Sequence, residues 1–429
     1  MIPNIELRPL SEIQSFQEEK LKEMLVYLQT HSPYYHRFFL ENNINITDIK
    51  TLNDLQKIPV TTKNDLQRHN DDFFCVPKTE IIDYATTSGT LGDPVTFGLT
   101  DADLDRLAYN EAISFACAGI KKGDLVQLMT TMDRRFMAGL AYFLGLRKLG
   151  AGVIRVGAGI PEMQWDSILK YNPKYLISVP SFLLKMIEFA QQNSIDINKT
   201  SVEGVACIGE PLRNQDLSPN LLHQKITEKW HIKLFSTYAS TEMSTAFTEC
   251  EYQQGGHLHP ELIITEILDE NDQPVTAGGS GELTITTLGV QAMPLLRFKT
   301  GDIVTLHPEP CPCGRHTPRI GPVIGRKQQM IKYKGTTLYP PAMHDLLNHF
   351  EEIKYHVIEL SSNRLGTDEI VLKICSDNQT PAFLGSIKDH FRAKLRVTPK
   401  IEFVSEADIQ KIIFNPKSRK PITFVDKRM

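Results

Sequence analysis

Two stretches of this chain carry residues whose types and spacing could do chemistry. The first is Tyr84-Ala-Thr-Thr-Ser-Gly-Thr-Leu-Gly-Asp-Pro-Val95, dominated by hydroxyls and small residues. Such a segment lets backbone N–H groups approach a ligand closely, as phosphate binding requires. It is not a Walker loop, because no Gly-Lys-Ser/Thr follows. A plain surface turn has the same composition. The second stretch is Cys250-x6-His257, followed after a long gap by Cys311-x-Cys313. One imidazole and three thiolates make a complete ligand set for a closed tetrahedral Zn²⁺ site. With no open position, its role would be structural, stapling two loops. His259 lies two residues on, on the same side of an extended chain, and could replace His257. Reduced, buried thiols are the alternative reading. Cys75, Cys117, Cys207 and Cys375 have apolar or mixed neighbours and read as core.

The elements that must position these residues show three rhythms. The first 80 residues read as mostly helical, with Ile13, Phe16, Leu21, Met24, Leu25 and Leu28 forming a stripe. Thr100-Asp-Ala-Asp103 looks like a helix N-cap, with Leu104, Leu107 and Ala108 on one face. From about residue 124, short apolar runs at 125–129, 153–156, 175–179, 205–208 and 234–237 alternate with helix-like stretches. That alternation predicts βα units, an α/β fold and a mainly parallel sheet. Ligand sites in such sheets lie beyond the carboxyl ends of the strands. Beyond Gly325, apolar runs at 330–333, 357–360, 370–374 and 401–404 surround helices near 342–350 and 382–395. This reads as a separate α+β domain, giving a division into residues 1–326 and 327–429.

Composition narrows the function. The chain has 429 residues, 41% hydrophobic and 23% charged, an ordinary soluble mixture. A net charge of −4 argues against a dedicated nucleic-acid binder. No apolar stretch approaches the roughly 20 residues needed to span a bilayer. The N-terminus lacks a secretion pattern, so a cytoplasmic protein is expected. Seven cysteines, an odd number, fit a reducing compartment better than a disulfide framework.

Four further segments match, in order, motifs of the adenylate-forming (acyl-CoA synthetase-like) superfamily. They are Gly209-Glu-Pro-Leu-Arg213, Tyr238-Ala-Ser-Thr-Glu242, Arg297-Phe-Lys-Thr-Gly-Asp302 and Gly325-Arg-Lys-Gln-Gln-Met-Ile-Lys-Tyr-Lys-Gly335. Each is weak alone; five with the hydroxyl-rich loop, in family order, are specific. The chain more closely resembles the phenylacetate–CoA ligase branch, through His31-Ser-Pro-Tyr-Tyr-His-Arg-Phe-Phe39, Ile58-Pro-Val-Thr-Thr-Lys63, Thr286-Thr-Leu, Ala292-Met-Pro-Leu-Leu-Arg297 and Cys311-Pro-Cys-Gly-Arg315.

The resemblance implies an ATP-dependent acid–CoA ligase with a large ATP-binding domain and a small mobile C-terminal domain. Joining a carboxylate to a triphosphate requires charge neutralisation and in-line alignment. Ser88, Gly89 and Thr90 would hold the ATP phosphates, Thr241 would contact the α-phosphate, and Glu242 would position Mg²⁺. Tyr238 and the Gly209-Glu210-Pro211 turn would sandwich the adenine, beside Ala239 and Ser240. Asp302 would bind the ribose hydroxyls, with Arg326 supporting ribose or phosphate; a turn cap is the plainer reading of Asp302. Lys420 would bridge carboxylate and α-phosphate, with Lys417 and Arg419 as neighbouring competitors. The zinc ligands Cys250, His257, Cys311 and Cys313 also match branch positions. Coenzyme A would be the acceptor, and the protein a homodimer.

Departures from the family pattern are Asp93 where lysine is usual, Gln328 at the hinge, Ala239 for glycine, and Ser418-Arg419 before the terminal lysine. The implied acid pocket is Phe136, Ala138, Gly209, Ala239 and Ser240, suited to a flat ring such as an arylacetate. Phe136 reads equally as core, and Arg134 and Arg135 could meet a polar acid or CoA phosphates. Two competing readings are an adenylating enzyme serving a carrier-protein thiol and a non-catalytic nucleotide-binding homologue. Acid-dependent pyrophosphate release separates enzyme from non-enzyme, and CoA dependence separates the acceptors.

Overall fold

The computed structural model describes residues 2–87, 95–276, 278–333, 336–362, 368–414 and 421–428. The chain divides into two compact units, Met1–Thr300 with Val304–Pro322, and Gly301–Ile303 with Val323–Met429.

The first unit begins with the helix Leu10–His31, which buries Ile13, Leu21, Met24, Leu25 and Leu28. Phe16 of the expected stripe is only half-buried. Ser32 ends this helix and caps the next, Pro33–Glu41, accepting from the Tyr35 amide with Pro33 in the first turn. A hairpin of β1 (Asp83–Thr86) and β2 (Thr96–Leu99) follows, antiparallel with Thr86 opposite Thr96. The helix Asp101–Cys117 starts at the expected cap, where Thr100 and Asp103 form a reciprocal capping box.

The five central apolar runs are strands: β3 (Leu125–Leu128), β4 (Gly152–Arg155), β5 (Tyr175–Ser178), β6 (Gly204–Ile208) and β7 (Lys233–Ser240). With β8 (Thr245–Thr248) they form one sheet of order β4-β3-β5-β6-β7-β8, parallel except for the β7–β8 hairpin. Alternation explains why both faces are covered. Leu176, Val205, Cys207 and Leu234 pack on one side with Trp165, Leu183 and Trp230. Ile177, Ala206, Ile208 and Phe235 pack on the other with Phe115, Tyr142 and Leu146.

A second sheet lay outside the sequence reading. Its order is β10-β11-β12-β13-β9, from β10 (Ile263–Leu268), β11 (Ser280–Thr287), β12 (Phe298–His307), β13 (Arg319–Ile320) and β9 (Gly256–His257), with β14 (Gly325–Arg326) pairing β12. Its members β9, β13 and β14 have two residues each and leave too little alternation to be seen in sequence.

The second unit contains the hairpin β15 (Ile331–Tyr333) and β16 (Thr336–Leu338) and a four-stranded sheet. That sheet has the order β19-β18-β17-β20, from β17 (Ile353–Ser362), β18 (Asp368–Ser376), β19 (Lys400–Phe403) and β20 (Phe424–Asp426). Ile358, Leu360, Ile370, Leu372 and Ile374 meet Phe383, Ile387 and Phe391 of the helix Pro381–Leu395 in its core. The α/β class, the parallel sheet and this α+β unit agree with the sequence reading.

Candidate active site and metal centre

The hydroxyl-rich loop closes the β1–β2 hairpin. Its neck is fixed by Thr87 N donating to Val95 O at 3.0 Å and Val95 N donating to Thr87 Oγ1 at 3.1 Å. Ser88, Gly89, Thr90 and Asp93 lie outside the described residues, as do Lys417, Ser418, Arg419 and Lys420. The amide of Thr86 donates to Arg135 O at 3.0 Å, which seats the segment after β3 against this hairpin. Arg134 and Arg135 both take positive φ, 59° and 58°, a strained conformation for non-glycine residues. Phe136 follows as the N-cap of the helix Met137–Leu149 and is 36% exposed, so it is not a core residue. Ala138 is half-buried against the core beneath.

The turn after β6 lies on the same carboxyl edge of the sheet. Gly209 has φ 79°, which a side chain would strain. The Glu210 carboxylate caps the helix Pro180–Gln192, accepting from Ser181 N and Oγ, both at 2.8 Å. Pro211 is exposed, and its carbonyl accepts from Asn220 Nδ2 at 2.9 Å.

Register places Tyr238 opposite Phe247, Ala239 opposite Ala246 and Ser240 opposite Thr245, so Thr241 and Glu242 lie at the tip of the β7–β8 hairpin. Both are half-buried, and Glu242 has no hydrogen-bond or ion-pair partner among the described residues. An unengaged carboxylate at a turn suits a hard cation such as Mg²⁺. Asp302 and Arg326 belong to the second unit, paired across β12 and β14 with Arg326 Nε 3.3 Å from Asp302 Oδ1. Gln328 lies in the following single turn, where its carbonyl accepts from Arg428 Nη2 at 3.2 Å.

Three positioning residues escaped the sequence reading. Arg106 donates to the carbonyls of Ser244 at 2.6 Å, Leu262 at 2.6 Å and Leu288 at 2.7 Å, tying the Thr241–Ser244 turn to the second sheet. Burial lowers its guanidinium to about 10. Arg213 forms a bidentate pair with Glu249, at 3.0 Å on both arms, both side chains fully buried. Glu249 also accepts from Ser236 N at 2.9 Å. The pair thus joins the β6 turn, β7 and the end of β8. Nothing in a single arginine or glutamate within its local sequence marks such a partner. On the helix Asp101–Cys117, Glu111 is buried with one oxygen served by Asn110 at 3.0 Å and the other unpartnered among the described residues. Burial raises its carboxyl to about 8.

The branch motifs in the helical region are scaffold. Tyr35 Oη accepts from Leu296 N at 2.9 Å, and Thr61 Oγ1 donates to Leu296 O at 2.8 Å. They hold the segment leading to Arg297, whose guanidinium grips Glu266 at 3.0 and 2.9 Å.

Cys250, His257, Cys311 and Cys313 come together, each offering a ligand atom within 4.8 Å of the others. Cys250 follows β8, His257 ends β9, and the Cys311–Arg315 turn precedes β13, which pairs Arg319 with His257. Gly256 permits the approach of β9, since a Cβ there would lie 2.5 Å from Phe247 O. The Cys250 and Cys311 sulfurs are 3.6 Å apart, and Cys313 Sγ is 3.5 Å from His257 Nε2. A tetrahedral zinc site with metal–sulfur bonds of about 2.3 Å has edges of about 3.8 Å between sulfurs and about 3.5 Å from sulfur to nitrogen. Geometry and donor set therefore fit. Burial pushes the Cys250 and Cys311 thiols up and lowers the His257 imidazole to about 3, so that the ring is a neutral ligand. His257, not His259, faces the thiols; His259 Nδ1 instead meets Glu6 Oε1 at 2.6 Å. Cys117, read as core, is buried beside Cys250 and Cys311.

The family model described as AMP-binding enzyme matches residues 45–293. A phenylacetate–coenzyme A ligase of Thermus thermophilus is 31% identical over 87% of this chain and 83% of its own length. That of Escherichia coli is 29% identical over 87% and 86%. Among solved structures, a 2-hydroxyisobutyryl-CoA ligase in the postadenylation state with its acyl-AMP superposes at TM-score 0.84, 25% identical, over 99% of this chain and 92% of that one.

Proposed function

Because the chain belongs to the AMP-binding enzyme family, in its phenylacetate–CoA ligase branch, and is an AMP-forming acid–CoA ligase, we propose that its acid is an arylacetate activated at the carboxyl edge of the parallel sheet. The observation that carries this is the half-exposed Phe136, which the Thr86–Arg135 hydrogen bond holds beside the neck of the hydroxyl-rich loop. A large aromatic left out of the core beside a phosphate-type loop, with small residues at Ala138 in the following helix, Gly209 after β6 and Ala239 on β7, offers one flat wall and room for a ring.

In the first half-reaction the acid carboxylate attacks the α-phosphorus of ATP and pyrophosphate leaves. Ser88, Gly89 and Thr90 bind the phosphates, and Thr241 donates to the α-phosphate. Tyr238, Ser240 and the Gly209-Glu210-Pro211 turn enclose the adenine. Asp302 accepts from the ribose hydroxyls with Arg326 beside it. Lys420 supplies the positive charge that draws carboxylate and phosphate together. Mg²⁺, when bound, neutralises phosphate charge, and Glu242 is the carboxylate to hold it. In the second half-reaction the CoA thiol attacks the acyl carbon and AMP leaves, with residues 327–429 as the mobile domain.

Zn²⁺ would be held by Cys250, His257, Cys311 and Cys313 in a structural role. A cytoplasmic homodimer completes the reading; among the described residues no helix is long and apolar enough to cross a membrane.

The test is pyrophosphate release with phenylacetate, its hydroxylated and indole analogues, and short aliphatic acids, with and without CoA. Arylacetate-dependent release with CoA-thioester formation is expected. Preference for an aliphatic acid overturns the aryl assignment while leaving the ligase chemistry intact.

A further inference from the structure

Beside the thiol–imidazole cluster lie three buried polar side chains that neither the ligase reaction nor the metal ligand set uses: Glu6, Arg315 and His259. Glu6 is fully buried although it belongs to the single turn Asn4–Leu7. Burial of a carboxylate demands partners, and it has two. Arg315 Nε donates to Glu6 Oε2 at 2.7 Å, and His259 Nδ1 lies 2.6 Å from Glu6 Oε1. The same guanidinium reaches back, with Nη1 3.3 Å from Cys313 Sγ. A continuous path thus runs from Cys313 through Arg315, Glu6 and His259 to Ser114, whose hydroxyl lies 3.5 Å from His259 Nε2. The backbone doubles the tether: His316 N donates to Glu6 O at 2.8 Å, and His316 Nδ1 lies 3.1 Å from Arg8 O.

We propose, resting on the zinc reading above, that Glu6 and Arg315 are the outer shell of the Cys250–His257–Cys311–Cys313 site, and that metal loading fastens residues 4–8 to the turn at residues 311–316. Three thiolates around a divalent cation leave one net negative charge in a buried place, and the Arg315 guanidinium faces it, with Nη1 3.3 Å from Cys313 Sγ. Glu6 holds the guanidinium in the orientation that faces sulfur and neutralises it when the thiols are empty. Glu6, His259 and Glu261 also converge, with ligand atoms within 4.8 Å of one another. A second cation there would face the Arg315 guanidinium, which is paired with Glu6.

The test uses the full-length, zinc-loaded protein and reads metal, not activity. Zinc transfer to a chromophoric chelator gives the release rate, and hydrogen exchange of residues 4–8 is followed with and without zinc. Glu6→Gln keeps the shape and removes the charge; it should speed zinc release on the order of tenfold or more, the usual effect of losing an outer-shell partner. In the wild type, zinc removal should raise exchange in residues 4–8. If Glu6→Gln does not fold, Arg315→Lys, which keeps the charge and loses the fork, reads the same step. Unchanged zinc release in the folded variant, or exchange in residues 4–8 indifferent to zinc, overturns the proposal. A wild type purified with less than about half an equivalent of zinc overturns the zinc reading itself.

Discussion

Glu249 and Cys250 are consecutive, both are buried at the end of β8, and they solve burial in opposite ways. Glu249 closes on Arg213 through two 3.0 Å hydrogen bonds and takes a third from Ser236 N. Its cluster is complete within the polypeptide. Cys250, facing the other way, joins a set of soft donors with no positive centre of their own. One cluster is finished when the chain folds; the other, on the zinc reading proposed above, would be finished by an ion. Both lie at the open end of the β7–β8 hairpin, opposite the turn that carries Thr241 and Glu242, so the hairpin has one self-sufficient tie and one conditional one at that end.

Breaking the self-sufficient support should cost most. Glu249→Ala leaves the Arg213 guanidinium buried without a counterion and should destabilise the protein by about 3–5 kcal/mol, read from urea unfolding midpoints. A loss below about 1 kcal/mol would mean the pair is not what holds the β6 turn to β8. The conditional support should respond to solution conditions instead. Excess chelator should lower stability by about 3 kcal/mol in the wild type and by nothing in Cys250→Ser, since binding stabilises only a protein with an intact site. Equal responses in the two proteins would show that chelation acts elsewhere.

Glu111 is an intermediate case, half served, and pH exposes it. Its carboxyl is raised from 4.5 to about 8 by burial, so the folded state keeps a proton that the unfolded chain releases above its own pKa. Stability from this group is therefore present at about pH 4.5 and below, and is lost as pH climbs towards 8. Glu111→Gln should gain on the wild type across that window, by at most about 1.4 kcal/mol per pH unit. A difference between the two proteins that stays flat from pH 5 to pH 8 would remove Glu111 from this series.

Much of this arrangement was legible in the sequence, for physical reasons that also mark its limits. Strands β5 and β6 are nearly continuous apolar runs because both faces of the sheet are covered, and β3 departs only at the buried Gln127, which bonds to Gln164. The Thr100–Asp103 cap was readable because a capping box is complete within four residues. The convergence of Cys250, His257, Cys311 and Cys313 could be read from donor chemistry together with the branch resemblance, with His257 preferred and His259 left as an alternative. Arg106, Arg213, Glu249 and Glu6 were silent. Each is a single charged residue whose meaning lies in a partner 36 to more than 300 positions away. Phe136 was ambiguous between core and pocket wall because a lone aromatic before a helix fits either, and only its exposure decides.

The adjacency of Glu249 and Cys250 also bears on how the chain finds its native pairing. A slip of β8 by one residue against β7 would turn Glu249 toward the thiols and Cys250 toward Arg213. The slipped hairpin would bury a carboxylate among sulfurs and strand a guanidinium beside a thiol, two penalties from one error. Apolar residues at these positions would tolerate either pairing almost equally. The neighbouring pair therefore acts as a register key, because the misaligned hairpin would carry both penalties at once.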